Sequence, residues 1–232
     1  IDDIMKIVQQ LPKSCQRIMF SATMPKKIRE LAVQLLNDPV EIQIAVSKPA
    51  EKIHQMAYVC YEPQKLKIIQ DIFKKGDLQR VIIFSGKKER VKEVTRKLKS
   101  MHINCDQMHS DLSQAERDEA MYRFKAGQTD VLVATDIVAR GIDIDDIRMV
   151  INYDVPSDTE DYVHRIGRTA RADRDGEAIT FISEDDIYRF QSIEHFLGKE
   201  VEKLPLPEGL GEAPAYTKRE KKPNTRRNGR WH

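Results

Sequence analysis

Short runs of β-branched and other apolar residues alternate with helical patterns along most of this chain, and this alternation constrains the fold more than any other feature. The runs predict six strands, at residues 57–61, 80–85, 103–109, 130–135, 148–154 and 177–183. Helical patterns lie between them, at residues 63–75, 88–101, 113–126, 158–170 and 185–197. Such alternation predicts an α/β fold, a mainly parallel sheet with helices on both faces. Ligand groups in such folds lie at the carboxyl ends of the strands.

The alternating region is expected to form one domain at residues 53–206, after a linker at 46–52. Residues 1–45 predict helices, at 25–37 among others, and two strands, at 16–20 and 40–44. Because about 40 residues seldom bury enough surface to fold alone, we interpret them as the remnant of a preceding α/β domain. The chain begins with Ile1 and not with Met, so we expect that sequence upstream is missing.

Charge is distributed unevenly along the chain. The formal net charge is +2, yet residues 218–232 carry seven Lys or Arg and one Glu, which leaves −4 for the rest. We expect residues 207–232 to form a disordered basic tail that is attracted to nucleic acid or another polyanion. Three isolated cysteines give no zinc or disulfide pattern, so no metal site is predicted. The absence of a membrane-spanning apolar run or a signal peptide leads us to expect a cytoplasmic protein without membrane contact.

The sequence HRIGRTARAD, at residues 164–173, concentrates positive charge. On a continuous helix, Arg165, Arg168 and Arg171 would lie on one face. Arg165 could pair with Asp161 on that helix, whereas no acidic residue lies three or four positions from Arg168. Gly167 opposes helix formation, which suggests close backbone packing or an approaching ligand. Two interpretations remain open: a solvated basic turn, or arginines that await a phosphate.

Polar residues near the predicted strand ends form a second group of candidates. Thr135 ends the strand at 130–135, and Gly141 and Asp143 follow in a turn that suits phosphate and ribose recognition or a simple capped turn. Gln114 and Arg117 share one face of a helix that begins with a capping box. Thr23 could simply cap the helix that Pro25 opens.

Taken together, these blocks resemble the later motifs of the DEAD-box ATP-dependent RNA helicases. The blocks occur in that family's order and spacing: SAT (21–23), VIIFSG (81–86), HSDLSQAER (109–117), VLVATDIVARGIDI (131–144), VINYDVP (150–156) and YVHRIGRTARAD (162–173). The resemblance covers residues 1–206 and implies a RecA-like second domain preceded by the end of a first one. The tail and the GRTARAD wording are similar to the bacterial RhlE-like branch.

The resemblance implies a role for each matching residue. Arg168 and Arg171 match arginine fingers that reach the γ-phosphate of ATP, and His164 matches a residue that contacts the first domain. Asp143 matches the carboxylate at the ATP ribose, beside Gly141. Contacts with the RNA backbone are implied for Thr135, Gln114 and Arg117, with Gly141 allowing close approach. Coupling of hydrolysis to strand separation is implied for Ser21 and Thr23.

The resemblance also implies ATP with magnesium as the nucleotide, single-stranded or structured RNA as a partner, and an upstream RecA-like domain. The chain has no phosphate loop, no DEAD tetrapeptide and no adenine-reading glutamine motif, so the magnesium ligands are expected outside it and the isolated chain is predicted to be inactive. Two other readings remain: a non-catalytic RecA-like RNA-binding module, and a DNA-directed superfamily 2 helicase. Ser110, Gly86 and Ala170 depart from the usual family pattern, and Gly86 leaves the RNA contact of its motif in question.

Overall fold

The computed structural model describes residues 1–12, 14–21, 24, 26–42, 52–76, 78–136, 147–169 and 175–217. Two compact units divide at Ser47 and Lys48. The assignment of residues 1–45 to the end of a first RecA-like domain stays a prediction. In the described part of the chain, no helix is both long enough and apolar enough to cross a membrane.

The second unit is built on a seven-stranded parallel sheet. Its strands are β1 (Ile53–Val59), β2 (Val81–Ser85), β3 (Cys105–Met108), β4 (Val131–Thr135), β5 (Met149–Asn152), β6 (Gly176–Ile182) and β7 (Glu202–Leu204). Their order across the sheet is β3-β4-β2-β5-β6-β1-β7, and every pairing is parallel. The six predicted strands and the predicted α/β class with a parallel sheet are therefore confirmed. The short edge strand β7 was not predicted, because three residues carry too little periodicity to be recognised.

Helices cover both faces of this sheet. In β2, Val81 and Ile83 face a cluster that includes α3 (Lys65–Lys74) and α4 (Lys88–Ser100), whereas Ile82 and Phe84 face the side of α5 (Gln114–Lys125). The helices α6 (Thr159–Ile166) and α7 (Ile187–Leu197) pack over β1 and β6. Because both faces are buried, β2 reads as a continuous apolar run without alternation.

Helix boundaries follow local signals in the sequence. At the start of α5, Ser113 and Glu116 form the predicted capping box, and Gly127 follows the helix with a φ of 70°. Helix α6 ends at Ile166, not at 170 as predicted. A Cβ atom at Gly167 would lie 2.9 Å from the carbonyl oxygen of Val163, so this position requires glycine. The expectation of close backbone packing at Gly167 is confirmed.

The first unit contains α1 (Asp2–Gln9) and α2 (Lys26–Leu35), held in part by a 2.7 Å hydrogen bond from Arg17 to the Leu35 carbonyl. The predicted strand at 16–20 is wrong, and no strand is found at 40–42; residues 43–44 lie outside the described residues. A strand must pair its backbone groups with a neighbour, and the described part of this unit offers none. The apolar pattern alone was therefore a misleading signal.

Residues 207–217, which we expected to be disordered, pack along the second unit. Gln64 donates hydrogen bonds to the carbonyls of Leu210 and Glu212, and Gln191 donates to that of Thr217. The Tyr216 hydroxyl donates to the buried Glu194 carboxylate at 2.6 Å. The rest of the predicted tail, at 218–232, lies outside the described residues. The packing of residues 207–217, which we call the strap, was not predicted from its polar and proline-rich composition, because the contacts that stabilise it are with residues distant in sequence.

Replacement of Tyr216 tests how firmly the strap is held. Tyr216→Phe removes the hydrogen bond to a charged partner, so we expect the free energy of unfolding to fall by about 1.5 kcal/mol. The control is Tyr188→Phe, since that side chain is 64% exposed; its change should stay within about 0.5 kcal/mol. Urea unfolding measures both values. Equal effects of the two substitutions would show that the hydrogen bond from Tyr216 to Glu194 adds no stability.

Candidate functional site

A cleft of about 670 Å³ opens at the carboxyl end of the parallel sheet. Its walls come from segments that follow five strands, so residues distant in sequence meet there. The lining includes Tyr61, Glu62, Gly86, Lys87, Asp136, Asp154 and residues 183–186, with Lys65, Arg90, Arg165 and Arg189 from helices. The cleft therefore lies where ligands bind in open α/β sheets.

Arg165 is the central cation of this region and is 4% exposed. Its Nε and Nη2 atoms donate to the two carboxylate oxygens of Asp136, each at 2.6 Å. Its Nη1 atom donates to the Asn152 side chain at 3.1 Å and to the Asp154 carbonyl at 2.9 Å. The prediction that Arg165 could pair with Asp161 is thus wrong. A buried guanidinium requires this number of acceptors, and a residue four positions away on the same helix lies outside the cleft.

The carboxylate of Asp154 is a second group on which several hydrogen bonds of the cleft converge. Its Oδ2 atom accepts hydrogen bonds from the Ser85 hydroxyl at 2.6 Å and the Gly86 amide at 2.9 Å. Its Oδ1 atom accepts from Lys65, whose side chain is 1% exposed and also contacts Glu62 at 2.8 Å. Burial alone would raise the pKa of Asp154, but Lys65 and these donors lower it below its ordinary value. Burial likewise opposes the charge of Lys65, yet Asp154 and Glu62 raise its pKa.

Arg168 follows the end of α6 in a turn that is fixed on both sides. Its amide donates to the Arg165 carbonyl at 3.1 Å, and its Nε atom donates to the His164 carbonyl at 3.2 Å. The next residue, Thr169, is buried and donates to the Ile147 carbonyl at 2.6 Å. The expectation of a shared helical face for Arg165 and Arg168 is wrong: the helix ends between them, and Arg165 points inward. Arg168 is half-buried in an anchored turn.

Of the remaining predicted site residues, those that the structure describes in the second unit are not among the residues that line the cleft. Thr135 ends β4 beside Ser85 of β2, and His164 is half-buried on α6. On α5, Gln114 donates to Asp118 at 2.7 Å, and the Nε atom of Arg117 donates to the Ser113 carbonyl at 3.4 Å. Ser21 is exposed in the first unit. The predicted residues Arg171, Asp143, Gly141 and Thr23 lie outside the described residues.

Sequence reasoning missed the structural charges of this site. Lys65 is one of many lysines, and no local pattern marks it as buried. Asp154 and Arg165 belong to recognised blocks, VINYDVP and YVHRIGRTARAD, but their partners are 89 and 29 residues away. Only the meeting of the strand ends brings these pairs together.

His109 occupies a buried position just before α5 and is 1% exposed. Its Nδ1 atom accepts a hydrogen bond from the Asp111 amide at 3.3 Å, which places the proton on Nε2. Burial and the nearby Lys92 lower the pKa of His109, and Asp111 only partly opposes them. Asp111 itself bonds Lys88 and Lys92, each at 2.7 Å, and these bonds lower its pKa to about 2. The turn that leads to Gln114 and Arg117 is thus built around a neutral histidine.

A model of the helicase conserved C-terminal domain matches residues 64–173. The ATP-dependent RNA helicase eIF4A of Phaeosphaeria nodorum is 36% identical over 207 residues, which cover 88% of this chain and 52% of that protein. The same helicase of Emericella nidulans gives the same values. The chain spans about half the length of the curated relatives that it matches.

Solved structures agree with this likeness. Dbp5 of S. cerevisiae, bound to RNA and ADP BeF3, matches with a TM-score of 0.78 and 31% identity, over 88% of this chain and 55% of that chain. The E. coli DEAD-box protein SrmB, bound to regulator of ribonuclease activity A, matches with a TM-score of 0.62 and 33% identity. That match covers 70% of this chain and 96% of SrmB as crystallised.

The pH dependence of stability tests the neutral state of His109. A lowered folded-state pKa means that protonation favours unfolding, so His109 stabilises the fold fully above about pH 6.5, the ordinary histidine value, and progressively less below it. Between pH 7.5 and 5.5, we expect His109→Gln to lose less unfolding free energy than the parent chain does. The exposed His195 provides the control, His195→Gln, which should follow the parent. Identical pH slopes for all three chains would contradict this account of His109.

Proposed function

Because this chain belongs to the DEAD-box RNA helicases and carries their C-terminal RecA-like domain, we propose that it is the C-terminal part of an ATP-dependent RNA helicase that unwinds or remodels RNA. The proposal is carried by the likeness to Dbp5, whose structure holds RNA and ADP BeF3 and aligns with 88% of this chain. The curated relatives add that proteins of twice this span are named as ATP-dependent RNA helicases.

In this proposal Arg168 and Arg171 act as arginine fingers on ATP that a first RecA-like domain holds. Negative charge develops on the γ-phosphoryl oxygens during transfer, and a positioned guanidinium stabilises it. The anchored turn around Arg168 supports such a role, because its amide and Nε atom are already fixed by α6. Asp143 and Gly141 would bind the ribose, and His164 would contact the first domain across the proposed ATP cleft between the two domains.

RNA binding is proposed for Thr135, Gln114 and Arg117, which border the strand ends on the β4 and α5 side, and for Gly141. A hydroxyl, an amide and a guanidinium can hold phosphates and sugars without reading base sequence. The side chain of Gln114 bonds Asp118 within α5, so it must exchange that partner for RNA.

Coupling between the two ligands needs the upstream domain. Ser21 and Thr23 are proposed to link ATP hydrolysis to strand separation, and the magnesium ligands are proposed to belong to the first domain. Closure of the cleft between two such domains can join ATP binding to RNA bending and release.

Three further expectations from the sequence are not established: the RhlE-like branch, a non-catalytic function and a cytoplasmic location. The RhlE-like branch is not supported by the curated relatives named above, which are fungal. A non-catalytic RecA-like RNA-binding module remains the alternative function, and the experiment below separates it from a helicase. A cytoplasmic location stays a prediction.

Magnesium-dependent ATP hydrolysis tests the proposal. The isolated chain should show no RNA-stimulated turnover, whereas a longer form that adds the preceding RecA-like domain should hydrolyse ATP and accelerate when RNA is added. A longer form that binds RNA without hydrolysing ATP would favour the module. Turnover by the isolated chain would contradict the proposed division of the active site.

A further inference from the structure

The turn at residues 85–87 lies next to a proposed RNA contact. Ser85 pairs with Thr135 in the β2–β4 register, so the turn begins beside Thr135 at the same sheet edge. The side chain of Lys87 is exposed at the end of this turn, and its amide bonds the Ser85 hydroxyl at 3.4 Å. The turn, whose Gly86 and Lys87 line the cleft, therefore begins next to Thr135 at the carboxyl end of the sheet.

A single carboxylate oxygen of Asp154 anchors the 85–87 turn. Oδ2 of Asp154 accepts both the Ser85 hydroxyl and the Gly86 amide, so it fixes two successive residues. A Cβ atom at Gly86 would lie 3.9 Å from that oxygen, an ordinary contact. The role of position 86 therefore depends on its backbone amide and not on the absence of a side chain.

The anchor itself is rigid and ionised. Lys65 fixes Oδ1 of Asp154 and lies 5.1 Å from the Tyr153 ring centre, on a helix packed into the core. The backbone carbonyl of Asp154 accepts from Arg165, which in turn holds Asp136 just after Thr135. Asp154 thus links two segments: its carboxylate holds the 85–87 turn, and its carbonyl is connected to the end of β4 through Arg165.

We infer that Asp154 is a positioning residue for RNA, since its carboxylate holds the 85–87 turn in the conformation that presents the turn and Lys87 to an RNA backbone beside Thr135. This inference rests on the proposed function and assigns a role to the motif whose RNA contact the sequence left in question. Asp154 touches no RNA itself. Its effect is transmitted through the Gly86 amide and the Ser85 hydroxyl.

A pair of variants of nearly equal shape tests the inference in the longer, ATP-hydrolysing protein. Lys65→Met is the common background, because it removes the buried cation that a neutral residue 154 would leave unpaired. On it, Asp154→Asn keeps an acceptor for the Gly86 amide, whereas Asp154→Leu removes the acceptor at similar volume. The backbone carbonyl that binds Arg165 is retained in both.

We expect the RNA concentration for half-maximal stimulation to rise about tenfold or more in the Leu variant relative to the background, because the Ser85 hydroxyl and the Gly86 amide both lose their charged acceptor. The Asn variant should stay within about twofold. The KM for ATP should change little in both, and amide exchange at Gly86 should accelerate only in the Leu variant. A purely structural defect would lower kcat through a smaller active fraction and leave the half-maximal RNA concentration unchanged.

Equal RNA dependence of the Asn and Leu variants, in a background protein that RNA stimulates, would overturn the inference and leave the proposed function intact. A parent protein that RNA does not stimulate would overturn the proposed function and the inference with it. If the Leu variant does not fold, Ser85→Ala removes one of the two bonds to Oδ2, and an unchanged half-maximal RNA concentration in Ser85→Ala would overturn the inference.

Discussion

The buried guanidinium of Arg165 is the interaction on which the rest of the cleft depends. A charge that is 4% exposed must be neutralised and fully hydrogen-bonded, or it destabilises the fold by several kcal/mol. Asp136, Asn152 and the Asp154 carbonyl meet this requirement from the carboxyl ends of β4 and β5, which lie on either side of β2 in the sheet. The same bonds fix the end of β4, the turn after β5 and the last turn of α6. One side chain therefore holds together the segments that contain Thr135, Asp154 and His164.

This arrangement separates structural charges from those proposed to meet ligands. Arg165 and Lys65 are buried and are used inside the domain, where they hold Asp136 and Asp154. Arg168 lies just past the helix end, held through its backbone and Nε atom. Neighbouring arginines in one basic block thus have different environments, because the helix ends at Ile166: Arg165 is buried inside the domain, whereas Arg168 is half-buried in the turn that follows. The proposed phosphate role of Arg168 requires such preorganisation.

The sequence predicted the sheet and its helices well, because β-branched runs and helical periodicity are local signals. The capping box at Ser113 and the packing requirement at Gly167 were also readable, since each depends on a few neighbouring residues. Strands without a partner in the first unit were predicted wrongly, because pairing is a property of the sheet and not of the run. The strap at 207–217 and the buried pairs of Lys65 and Arg165 depend on residues far apart in the chain. The proposed site residues at 137–146 and 170–174 lie outside the described residues, so their roles stay proposals.

The central claim is that this domain completes an ATP site with Arg168, and single-site replacement in the longer protein tests it most directly. Arg168→Ala should lower kcat for RNA-stimulated ATP hydrolysis by about a thousandfold, the typical contribution of an arginine finger. RNA affinity and the unfolding midpoint should change little. Arg96→Ala, at an exposed position on α4, is the control and should retain the parent kcat. A kcat of Arg168→Ala within tenfold of the parent value would contradict the claim.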